Sequence, residues 1–135
     1  MEVHRMRYLL PIAVALPLAC APAVAQQRDD AAPAVGQGLI CDSPQQLHRF
    51  VDIRNQGRDA DEAVRTVNQE ARNPIACGTV MAAFAAGKPV DKVKMLGEAV
   101  ELVEITVVAV SDGAGWTRVP PTRQYMIRSE PGVEI

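Results

Sequence analysis

The side chains best suited to chemistry in this chain are few. They are Cys41, Cys77, His48 and the acids Asp42, Asp59, Asp61, Glu101 and Glu104. A thiolate beside an imidazole makes a nucleophile–base pair, so His48 with Cys77 would sketch a small thiol or hydrolase-type enzyme. The competing use of Cys77 is a bond to Cys41. Two cysteines in an oxidising compartment pair with each other, and their spacing is far from the C-x-x-C of a redox motif. A Cys41–Cys77 disulfide is therefore expected, and it would consume the sulfur the enzyme needs. Metal binding needs two to four convergent donors. Cys41, Asp42, His48 and Cys77 are the one set that can be assembled, and Asp42 and His48 do not share a helix face well. No metal or cofactor is expected. Ser43, Ser111 and Ser129 lie in no G-x-S-x-G turn. Gly113-Ala114-Gly115 leads into a strand instead of a helix, so it cradles no phosphate. Glu101 and Glu104, three apart in a strand, face opposite ways. Asp59 and Asp61 suit the positive end of a helix. The balance of residues points away from catalysis.

Binding asks for less. Trp116 is the single tryptophan and follows a flexible Asp-Gly-Ala-Gly loop. With Arg118, Arg123 and Tyr125 it could form an aromatic and cationic patch, because tryptophan and arginine carry much of the energy at interfaces. Such a patch suits a peptide, a glycan or an envelope protein. The plainer reading makes Trp116 a core plug in a chain with few aromatics. Lys88, Lys92 and Lys94 read as edge-strand lysines that block unwanted pairing. Fourteen Lys and Arg against sixteen Asp and Glu leave a net charge of −2, so no cationic surface exists for nucleic acid, which is not an expected partner. With 48% apolar residues the chain is too hydrophobic to be wholly disordered, and 135 residues suit one domain.

The elements that must hold these residues begin with an address. Residues 1–25 read as an export signal: His4, Arg5 and Arg7 form a basic start, Leu9 to Leu18 an apolar run, and Ala23-Val24-Ala25 a cleavage site before Gln26. Pro11, Pro17 and Pro22 disfavour a buried helix there. Leu18-Ala19-Cys20 is also close to a lipobox, which would put a lipid anchor on Cys20, although Pro17 stands where leucine is usual. Cleavage before Gln26 leaves Cys41 and Cys77 as the only cysteines and no membrane span in the mature chain. The expected location is periplasmic or secreted.

After a flexible arm over 26–37, a single domain is expected over 38–129, with a frayed tail at 130–135. Ser43 can cap a helix and Pro44 fits its first position, which predicts a helix over 44–55 with Leu47, Phe50 and Val51 on one stripe. Gly57 stops it. Asp59-x-x-Glu62 opens a second helix, with Ala60, Ala63, Val64, Val67 and Ala71 on one inward face and Asp61, Arg65, Gln69 and Arg72 on a solvated face, ending at Asn73-Pro74. Residues 77–86 read as a strand, Gly87-Lys88-Pro89 as a turn, 90–96 as partly alternating, and 98–110 as the strongest strand. Trp116–Val119 and Gln124–Arg128 read as strand pieces separated by Pro120-Pro121. The fold class is α+β: two N-terminal helices, then an antiparallel meander of about four strands, as a curled sheet or a small partly closed barrel.

The run ICDSPQQL, the stretch AVRTVNQEA, then CGTVMAAF, a valine-rich strand, a Trp and QYM resembles small exported alphaproteobacterial proteins of unknown function with one Cys pair. The resemblance covers most of residues 39–127. It implies a periplasmic location and a Cys41–Cys77 bridge, and it implies no activity. The expectation is an exported, disulfide-stapled, non-catalytic binding or envelope-associated module.

Overall fold

The computed structural model describes residues 33–129. The expected export signal, with Cys20, Ala23, Ala25 and Gln26, most of the expected arm, and the expected tail lie outside the described residues. Six elements follow in order: β1 (Ala34–Cys41), α1 (Pro44–Asn55), α2 (Ala60–Ala71), β2 (Cys77–Met95), β3 (Glu98–Ser111) and β4 (Trp116–Ser129). The α+β class holds, with two helices and four antiparallel strands. The order differs from expectation in one respect, because one strand precedes the helices and three follow them. β1 also starts at Ala34, so the last residues of the expected arm are strand. AVGQG carries no alternating pattern of its own. It is drawn into the sheet by its pairing with β2, where Ala34 faces Phe84 and Cys41 faces Cys77.

The helices form as their ends dictate. Ser43 accepts the Gln46 N–H and Gln46 returns a bond to the Ser43 N–H, a full capping box with Pro44 at the first position. Asp59 accepts the Glu62 N–H at 2.8 Å and opens α2. Leu47, Phe50, Val51 and Ile53 from α1 and Ala63 and Val67 from α2 are buried against Cys41, Cys77 and Leu102 of the sheet.

β2, β3 and β4 form a meander, and β1 closes it into a ring. The closure is narrow: β1 meets β4 only at Ile40–Met126 and Cys41–Tyr125, so the ring is not a regular barrel. Alternation gives the sheet two faces. Leu39, Cys41, Leu102, Tyr125 and Ile127 face the helices, while Ile40, Ala82, Val103, Ile105 and Val107 fill the inside of the ring with Phe84 and Met126.

Two expected breaks are bulges inside continuous strands. Gly87-Lys88-Pro89 does not turn the chain; the β2–β3 register shifts there and β2 runs on. The reason is a close approach: a Cβ at Gly87 would lie 2.7 Å from the Glu104 carbonyl oxygen, so only glycine fits. Pro120-Pro121 likewise sits in a bulge of β4 between the Val107 and Ala109 pairings. That stretch pairs with β3 on one side only, and the prolines therefore cost no ladder bond on the other. The actual turn between β2 and β3 is Leu96-Gly97, both with positive φ (52° and 85°), the two-residue hairpin geometry.

Candidate functional site

The disulfide joins Cys41 and Cys77 as directly opposed strand residues, Cα atoms 4.1 Å apart. Both are buried, at 0% and 2% exposure. The thiol pair with His48 is not formed. Cys77 has no free sulfur, and His48 Nε2 instead lies 2.9 Å from Asp91 Oδ2, linking α1 to β2. Glu101 and Glu104 go separate ways, as their spacing requires. Glu101 is buried and takes Arg128 at 2.6 Å and Lys92 at 4.0 Å, while Glu104 takes Arg123 at 3.5 Å. No group of three or more His, Cys, Asp or Glu converges among the described residues.

The four residues of the aromatic patch fall into two pairs, Trp116 with Arg118 at the start of β4 and Arg123 with Tyr125 further along it. Trp116 is half-exposed at the start of β4, opposite Ser111. It is not a core plug. Arg118 and Arg123 are exposed on the same strand. Tyr125 turns to the helices and packs against their core. Eight residues of strand lie between Trp116 and Tyr125, on the order of 25 Å, so the two rings do not converge. Trp116 has Met81 as its apolar neighbour two strands away, since Met81, Ser111 and Trp116 fall in one row.

A deeper concavity among the described residues lies elsewhere. β1 ends at Cys41, and beyond that point the wall of the ring is missing between β4 and the start of β2. The opening is an apolar slot of ≈ 440 Å³ lined by Ile40, Val80, Val107, Val110 and Val119, with Pro74 and Ile75 on its rim. Ile75 is 81% exposed. A fully presented isoleucine beside a hollow of valines is what a binding site for apolar groups requires. Polar groups gather at one edge. Gln124 Nε2 donates to Asp42 Oδ1 at 3.1 Å, Asn73 Nδ2 donates to Asp42 Oδ2 at 3.4 Å, and the Asp42 N–H donates to the Ala76 carbonyl at 2.9 Å. These bonds hold the α2–β2 loop against the ring.

The loop is positioned from behind by Asn68 of α2. Its Nδ2 donates to the Pro74 and Cys77 carbonyls, both at 3.0 Å, and its Oδ1 accepts the Cys77 N–H at 2.7 Å. The slot and Asn68 were not visible as a site in the sequence, because the lining comes from β1, the α2–β2 loop, β2, β3 and β4. One local signal existed: Ile75 is a large apolar residue placed directly after the helix-ending Asn73-Pro74, where the chain leaves the helix.

Asp112 is the clearest electrostatic feature of the β3–β4 hairpin. Its carboxylate accepts the Ala114 and Gly115 N–H groups at 2.9 and 3.1 Å, and those bonds hold its pKa below the ordinary value. On the helices, the Arg49 guanidinium hydrogen-bonds Glu70 and lowers its pKa in the same way. No described helix is long and apolar enough to cross a membrane.

No family model, no curated protein and no solved structure matches the chain.

Proposed function

We propose that the chain is an exported, disulfide-stapled binding module that takes an aliphatic ligand in the slot of its ring. The observation that carries this reading is the slot itself. Its volume of ≈ 440 Å³ falls in the range of small-ligand sites, and its lining is valine and isoleucine with a few polar groups at one edge. An interior left open to solvent forfeits packing that the fold could have used, and Ile75 stands uncovered at the opening. The signal at residues 1–25 and the resemblance to small exported proteins support the compartment. The buried bridge supports it too, since such bonds persist outside the reducing cytosol. With Cys77 bridged and His48 paired to Asp91, nothing remains of the thiol-enzyme constellation.

Two measurements test the reading. Octanol titrated into isotopically labelled protein should shift the methyl resonances of Ile75, Val80, Val110 and Val119, and Val110→Phe should abolish the shifts by filling the slot. Shifts that are absent, or that survive filling, overturn the binding role. Cell fractionation with intact-mass analysis should find a periplasmic or secreted product that begins at Gln26 and carries the Cys41–Cys77 bond. A reduced, uncleaved product in the cytosol overturns the export.

A further inference from the structure

On the α2 side of Pro74 lies a second hollow of ≈ 370 Å³, lined by Arg65, Asn68, Gln69, Arg72, Asn73 and Pro74. Pro74 is a wall of both hollows, with the valine-lined slot on one side and the stems of Arg65 and Arg72 on the other. Arg65 and Gln69 fall at i and i+4 of α2, on one helical face, and Arg72 is the cap that follows its last turn. The arginines of the described residues divide in two: some hold a carboxylate and some do not, and Arg54, which donates to the Arg58 carbonyl, and Arg118 are among those that do not. Arg49, Arg58, Arg123 and Arg128 each hold a carboxylate. Arg65 and Arg72 hold none among the described residues, although Asp61 stands one helical turn ahead of Arg65.

Arg72 adds a second observation. It caps α2 with φ 53°, in the left-handed region where glycine or asparagine is the low-cost residue. An arginine there is held at a conformational cost, and residues held in this way collect at functional sites. The acid beside the slot is held by neutral amides, which orient it and leave its charge in place. Asp42 is the one carboxylate on the slot, and its two oxygens already receive the Gln124 and Asn73 amides.

We propose that Arg65 and Arg72 receive the carboxylate of an aliphatic acid whose chain crosses Pro74 and enters the slot. The inference rests on the slot being a binding site and adds the charge of its ligand. Guanidinium is suited to the task, because its planar fork matches the two oxygens of a carboxylate.

The experiment compares three probes with the same tail on the full exported protein: octanoate, octanol and octylammonium. Octanoate should bind about tenfold more tightly than octanol, the size of one charge-assisted contact, and octylammonium most weakly. Raising salt should erode the octanoate preference. Arg65→Ala with Arg72→Gly should remove the preference while leaving octanol binding unchanged. Glycine at position 72 relieves the backbone, so the variant keeps its fold, and the octanol titration reports that directly. Equal binding of octanoate and octanol by the native protein, or a preference that survives the double substitution, overturns the carboxylate site alone. Failure of all three probes to reach the slot overturns the slot and the carboxylate site together.

Discussion

Asn68 bonds both backbone polar groups of Cys77, accepting its N–H at 2.7 Å and donating to its carbonyl at 3.0 Å. One amide side chain thus replaces the strand neighbour that β2 lacks at its first residue. It fastens α2 to the bridged end of the sheet.

Asn68→Ala leaves two buried backbone groups of Cys77 without partners. The expected loss is about 2–3 kcal/mol, read as a lower midpoint in urea unfolding. Asn68→Asp keeps the acceptor, discards the donors and places a charge against two carbonyls, so it should be no better than alanine. A loss under half a kcal/mol for both variants would show that the tether is incidental.

The bridge closes a loop between residues 36 apart. A loop of that length contributes about 4 kcal/mol through the unfolded chain. Cys41→Ala with Cys77→Ala should lower stability by that order. The native protein should resist thiol labelling until it is both unfolded and reduced, since neither sulfur is exposed.

Leu96 occupies a left-handed position in the hairpin between β2 and β3, with φ 52°. Leucine is costly there, and asparagine is the usual occupant of such a turn. Leu96→Asn should raise stability by about 0.5–1 kcal/mol. The backbone N–H that Asn55 accepts at 2.8 Å is unchanged by the substitution. A thermal melt that falls instead would mean the exposed leucine side chain packs in solution.

Acid should loosen the β3–β4 hairpin. The folded pKa of Asp112 lies below its ordinary value of 3.8, so its contribution is present above that pH and is lost as pH falls through the lower, folded value. Asp112→Asn keeps an acceptor oxygen and removes the titration. The acid limb of a stability–pH curve should flatten for the variant, with little change at neutral pH. Identical acid limbs for the two proteins would remove Asp112 from the account.

Residues with local duties were legible in the sequence. Ser43-Pro44 and Asp59 mark helix starts because capping is decided within four residues. Residues 98–110 read as a strand from their own composition, and β3 covers them. What could not be read depends on partners far along the chain. Gly87 and Pro89 look like a turn until Glu104 is known to press against the glycine. Ala34–Gln37 looks like a tether until Met81–Phe84 is placed beside it. The slot is of the same kind: Val80, Val110 and Val119 are ordinary strand valines, and their shared exposure to one hollow arises from where β1 stops. Arg65 and Arg72 were correctly read as solvent-facing, and their hollow appears only with the loop folded beside them.

The seam between β1 and β4 is two residue pairs long, whereas the bridge holds β1 to β2. Those two pairs are the weakest stitch in the ring. Amide exchange there should outrun the rest of β1, and parting them would swing β4 outward while every covalent link stays intact. The mouth of the hollow would then dilate like a split washer, with the bridged β1–β2 edge as its fixed side.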